Sequence, residues 1–215
     1  MKVVRLPGLV LVGAVRGPVS EVDPLLAELE RADPSKVVMQ VSPEELRGLQ
    51  EHFTAPLAEP LSLLLDYEIA LAESLSAFGE VRLPSPAYVM AMRWAKERGR
   101  ELIALDPDED EYTNLFLKHM GYLSLVRRAR AERALKKSPP DAPDAEELVC
   151  MWNNRIHADR RSRNFLEERR RLAAEKLREI CEEEKGRKPV VAVVDFEHWS
   201  AISSALSEPQ GQKKE

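Results

Sequence analysis

The sequence predicts an α/β protein: a mostly parallel sheet flanked by helices, with an N-terminal hairpin and a helical insertion. Three observations carry that expectation. Residues 190–194, Val-Val-Ala-Val-Val, are a continuous apolar run of mostly β-branched side chains, the pattern of a strand buried on both faces. Residues 36–41 and 101–105 are two further strand candidates, separated by helix-length sequence as in a βαβ unit. Between these runs, apolar residues recur at helical spacing within otherwise charged stretches.

The elements follow in order. Val3, Val4 and Leu6, then residues 9–12, flank the turn dipeptide Pro7-Gly8 and predict a hairpin. Asp23 can cap a helix with Pro24 at its first position, and Val22, Leu25, Leu26 and Leu29 supply its apolar stripe. Ser42-Pro43-Glu44-Glu45 is a capping box, in which Glu45 is placed to reach back to the Ser42 amide. Periodicity predicts helices over 61–78 and 87–98, the second stopped by Gly99. Residues 111–137 read as one or two helices, 138–143 as a Pro-rich linker, and Asp144 with Glu147 as the start of another helix. A long charged helix over 160–185 puts Phe165, Leu166, Leu172, Ala173, Leu177 and Ile180 on one stripe, ahead of the last strand and a short final helix. Residues 1–206 are expected to form one domain with a helical insertion over about 111–161, and 207–215 a flexible polar tail.

Composition narrows the function classes. The 215 residues are 44% hydrophobic, enough for a core of ordinary size. Lys+Arg 32 against Asp+Glu 37 leave a net charge of -5, which argues against a broad phosphate-binding face, so no nucleic-acid partner is expected. The Arg127-Arg128, Arg160-Arg161 and Arg169-Arg170-Arg171 clusters read as solvated helix faces. No run approaches the roughly 20 apolar residues of a membrane span, and the N-terminus lacks a signal-peptide core. No membrane partner and a cytoplasmic location are therefore expected. Cys150 and Cys181 fall outside any CxxC pattern and suit a reducing compartment.

Several segments carry a family likeness. Residues 190–202, VVAVVDFEHWSAI, lead an apolar strand into Asp195 and His198. Residues 95–120 contain a helix, a strand, Asp106 and Thr113, and Ser162-Arg163-Asn164 opens the late helix. Residues 11–16 run through Gly13 to Arg16, and Val37-Val38-Met39 is followed by Gln40. In this order the segments resemble the TraB/PrgY (pheromone-shutdown) family, within the group that includes Tiki, ChaN and erythromycin-esterase-like proteins. The resemblance implies an α/β fold and, from the Tiki-like members, a metal-dependent peptidase built on paired histidines and a glutamate. Here Arg16 stands at one histidine position, Gln40 at the glutamate and Asp195 at a glycine, while His198 matches. A guanidinium cannot ligate a metal and a glutamine cannot act as a general base, so a degenerate site with no metal or other cofactor is expected.

The candidate catalytic residues are His198, Glu197 and Arg163. The candidate ligand-binding residues are Arg16, Gln40, Asp106, Asp195 and Asn164. Plainer roles compete with these. His198 can be a hydrogen-bonded residue at a strand–helix junction, Asp195 a helix cap and Asp106 part of a solvated turn. Arg16 is expected to pair with Asp195 or Glu197 at the sheet's C-terminal edge, and Arg163, one turn before Leu166, to point inward. Three functions follow. The leading one is a divergent, non-catalytic protein binding a small anionic or peptide ligand or a partner subunit. The alternatives are a hydrolase with a relocated site of His198, Glu197, Asp195, Asp106 and Asp108 using Mn or Co, and a helical homodimerisation module.

Overall fold

A computed structural model describes residues 1–52 and 66–207. Its sheet has five strands in the order β1-β2-β5-β3-β4, with β1 (Lys2–Leu6), β2 (Leu9–Ala14), β3 (Lys36–Met39), β4 (Glu101–Ala104) and β5 (Val190–Asp195). β1 and β2 form the antiparallel hairpin, turning at Gly8, whose φ of 75° lies in the left-handed region that glycine tolerates. All other pairings are parallel, and β5 lies between β2 and β3, so the last strand in the chain is central in the sheet.

Burial on both faces explains the uninterrupted apolar sequence of β5. Val191 and Val193 pack with Val10, Val12, Val37 and Met39 against one helical layer, drawn from α1 (Val22–Ala32), α2 (Pro43–His52) and α4 (Pro86–Glu97). Val190, Ala192 and Val194 pack with Leu9, Leu11 and Val38 against the other layer, α8 (Arg160–Glu183) and α9 (Phe196–Ser207). On that second face the backbone of β2 meets an indole. A Cβ added at Gly13 would lie 2.6 Å from Trp199 Cγ, and Trp199 Nε1 donates to the Leu11 carbonyl at 3.3 Å.

The insertion comprises α5 (Glu109–His119), α6 (Tyr122–Lys137) and α7 (Ala145–Ile156). It covers the C-terminal edge of the sheet together with α3 (Asp66–Leu75). Val15 after β2, Leu75, Leu148, Val149 and Phe196 form one buried cluster, so α3, α7 and the start of α9 meet above the strand ends. Caps set these helices: Asp108 and Glu111 form a reciprocal capping box on α5, Asp144 accepts from the Glu147 amide, and Asp159 accepts from the amides of Arg161 and Ser162.

Some expectations need correcting. α1 starts at Val22 because the 3-10 turn Val19–Glu21 runs straight into it, so Asp23 lies in its first turn and is not the cap. Only half of the Ser42 capping box forms: Ser42 Oγ accepts from the Glu45 amide at 3.1 Å, while the Glu45 carboxylate goes to Arg16. Leu172 is exposed, and Ala174 joins Ala173 in the buried stripe of α8. Residues 61–65 of the helix expected over 61–78, and 208–215 of the expected tail, lie outside the described residues. Among the described residues no helix is long and apolar enough to cross a membrane. Cys150 and Cys181 are both free.

Candidate functional site

A cavity of about 350 Å³ opens beneath the helical cap, at the C-terminal ends of β2, β4 and β5. Its floor is charged, with Arg16, Asp106, Arg169, Asp195, Glu197 and His198, whereas Leu71, Leu75, Val149, Trp152, Ile156 and Phe165 make an apolar wall. In an open α/β sheet this edge, where successive strands diverge, is the usual ligand position.

Arg16 leaves the end of β2 and binds in three directions. Its Nε donates to Asp195 Oδ1 at 2.5 Å, one terminal nitrogen donates to Glu45 at 3.0 Å, and the other to the Gln40 carbonyl. The guanidinium also lies over the Tyr88 ring, 4.8 Å from its centroid. Tyr88, on α4, donates its hydroxyl to the same Asp195 oxygen at 2.8 Å. Burial, and next the Asp195 charge, raise the Tyr88 phenol well above its ordinary value, so it stays a neutral donor. Burial opposes the charge on Arg16, but Asp195, together with Tyr88 and Glu45, outweighs it and holds Arg16 firmly protonated.

A second pair lies alongside. Arg169 on α8 grips Asp106 with Nε at 3.2 Å and a terminal nitrogen at 2.5 Å, a two-pronged arrangement suited to guanidinium and carboxylate. Arg170 donates Nε–H to His198 Nδ1 at 3.1 Å and a terminal N–H to the Glu197 carbonyl at 2.6 Å. With Nδ1 accepting, the neutral ring carries its proton on Nε2. Burial, then the charges of Arg169 and Arg170, push His198 well below its ordinary value, so it stays neutral. Glu197 differs from its neighbours in making no ion pair among the described residues. Burial, then the adjacent Asp195 charge, push its carboxyl up to about 7. His157 closes one side of the cavity, with Nδ1 2.7 Å from Ser162 Oγ; burial and then the Arg128 charge lower it to about 4.

The sheet edge brings together Arg16, Asp106, Asp195, Glu197 and His198 from three separate segments. Arg163 and Asn164 are exposed and do not line the cavity. Arg163 follows buried Ser162 by one residue, a rotation of about 100° that carries it off the inner stripe. Gln40 is buried but spent on structure, its Oε1 accepting from the Asp195 amide at 2.9 Å. Asp108 is spent on its cap. Tyr88, Arg169, Arg170 and His157 were not anticipated. Arg169 had a signal, since it lies three residues beyond Leu166 and four before Ala173 and so continues the buried stripe. Tyr88 had none, because a tyrosine in an apolar helix face reads as core.

Donor atoms of Asp195, Glu197 and His198 lie within 4.8 Å of one another, a spacing compatible with a cation. The surroundings do not fit one. Arg16 holds Asp195 Oδ1, Arg170 holds His198 Nδ1, and both guanidinium groups repel positive charge. The sequence matches no protein-family model, and no curated protein matches it.

Proposed function

We propose that this chain is a divergent, non-catalytic TraB-like binding protein whose cavity takes a small anionic or peptide-like ligand. The Arg16–Asp195 hydrogen bond carries this reading: a permanently charged guanidinium stands where a metal would be needed, bound to a carboxylate that would have to ligate it. Of Arg16's two carboxylate partners, Glu45 is exposed and therefore weakly held. A ligand carboxylate displaces Glu45 from the outer guanidinium nitrogen while Asp195 keeps its place. The apolar wall, with Trp152 and Leu75, takes the ligand's hydrocarbon part.

Elemental analysis and calorimetric titration with small carboxylates and dipeptides test this. The expected results are no stoichiometric transition metal and tighter carboxylate binding by Glu45→Gln, which frees the guanidinium. A tightly bound stoichiometric metal would sink the proposal. It would favour the competing reading, a hydrolase using Mn or Co on Asp195, Glu197 and His198, which the proximity of those donor atoms supports.

A further inference from the structure

The net charge of the chain conceals a strongly basic helix. α6 carries Arg127, Arg128, Arg130, Arg133, Lys136 and Lys137 against a single acid, Glu132. It is shallowly docked, burying only Ser124 and Leu135. The helical period sets Tyr122, Val126, Arg130, Arg133 and Lys137 along the opposite, outer side. Arg130 and Arg133 make no ion pair among the described residues.

Among the described residues the three most exposed large apolar side chains flank the α5–α6 turn: Leu117 at 69% near the end of α5, and Tyr122 at 79% and Leu123 at 66% at the start of α6. More positive charge converges there. Arg161 lies against the α5–α6 turn, where a Cβ on Gly121 would sit 2.5 Å from its guanidinium, and Ser124 Oγ donates to Asp159 at 3.0 Å, tying α6 to the start of α8. Arg127 and Arg155 line one shallow cleft between α6 and α7.

The geometry points to a docking surface for an anionic lipid bilayer, with Leu117, Tyr122 and Leu123 entering the headgroup boundary and the exposed Arg130, Arg133 and Arg161 lying on the phosphates. Protruding leucines beside arginines match that interface, where hydrocarbon and charge lie a few ångströms apart. A nucleic-acid backbone offers the charge but no partner for exposed aliphatic side chains. The protein does not span the bilayer here; it lies on it.

Vesicle flotation tests this with the whole protein, using pure phosphatidylcholine vesicles and vesicles with about a third phosphatidylserine. Binding is expected only to the anionic vesicles and to fall as salt is raised. Arg130→Glu with Arg133→Glu should weaken it by at least about tenfold, given roughly 1 kcal/mol per basic residue at such a surface. Leu123→Ser should weaken it separately, and all three positions are exposed, so the fold is retained and circular dichroism verifies it. The proposal is overturned by absence of flotation, by equal binding to neutral vesicles, or by insensitivity to these substitutions. It is equally overturned if the patch instead binds a labelled oligonucleotide, or closes a homodimer that Leu123→Ser dissolves in light scattering.

Discussion

Replacing Arg16 with methionine keeps an apolar stem and removes the guanidinium. Asp195, its side chain 10% exposed, then retains the Tyr88 hydroxyl as its remaining side-chain partner. Removing one member of a buried ion pair costs about 3–5 kcal/mol. Two features reduce that figure: the Arg16 side chain is 32% exposed, and Tyr88 still satisfies one carboxylate oxygen. The contact with exposed Glu45 adds about 0–1 kcal/mol. A loss of about 2–3 kcal/mol is therefore expected, on the scale set by broken buried pairs. In a chain of this size each kcal/mol lowers the melting temperature by about 2–4 °C, so the fall should be about 4–12 °C. Urea unfolding at pH 7 provides the comparison. Asp195→Asn removes the stranded charge, so the double variant should be little less stable than Asp195→Asn alone, with a coupling of about 2 kcal/mol. Additive losses, or a single-variant loss below about 0.5 kcal/mol, would refute the ion pair as the organiser of this sheet edge.

Gly13→Ala should destabilise by about 1–3 kcal/mol, the usual cost of overpacking, because the added methyl falls 2.6 Å from Trp199 Cγ. Its unfolding midpoint in urea gives the measurement, and Trp199→Ala should relieve the clash; no relief would place the strain elsewhere. The second expectation concerns pH. Glu197 is raised from 4.5 to about 7, so the folded protein binds more protons than the unfolded chain in that window and stability falls as pH rises through it. His157, lowered from 6.5 to about 4, works oppositely: its contribution is lost as pH falls from 6.5 to about 4. Above about pH 6.5 the Glu197 effect is no longer opposed by His157. Glu197→Gln should accordingly melt higher than the parent at pH 8 and nearly level with it at pH 5, and an equal shift at both values would contradict the burial of that carboxylate.

Much of the fold was legible because its causes are local. The all-apolar run of β5 announces a strand covered on both faces, Gly8 and Gly99 punctuate a turn and a helix end, and Asp144 caps a helix whose first amides are its neighbours. The site was legible only in part. The carboxylates and His198 at the end of β5 stood out as chemistry following a buried strand, and the motif likeness pointed Arg16 toward them. The partner Arg16 takes, Asp195, is 179 residues away in sequence, and that choice depends on β5 inserting between β2 and β3.

By itself the sequence determined the alternation of strands and helices, the two-faced burial of β5 and the insertion before α8, since period, caps and turn residues act within a few positions. Only the tertiary structure decided that Arg169 and Arg170, rather than Arg163, turn inward, that Tyr88 supports Asp195, and that Glu197 is left without an ion-pair partner among the described residues. It also decided that α6 docks by burying only Ser124 and Leu135, which leaves Tyr122 and Leu123 exposed on a strongly basic helix in a chain of net charge -5. Composition sums charge over the whole chain, whereas a partner meets only the charge on the surface it touches.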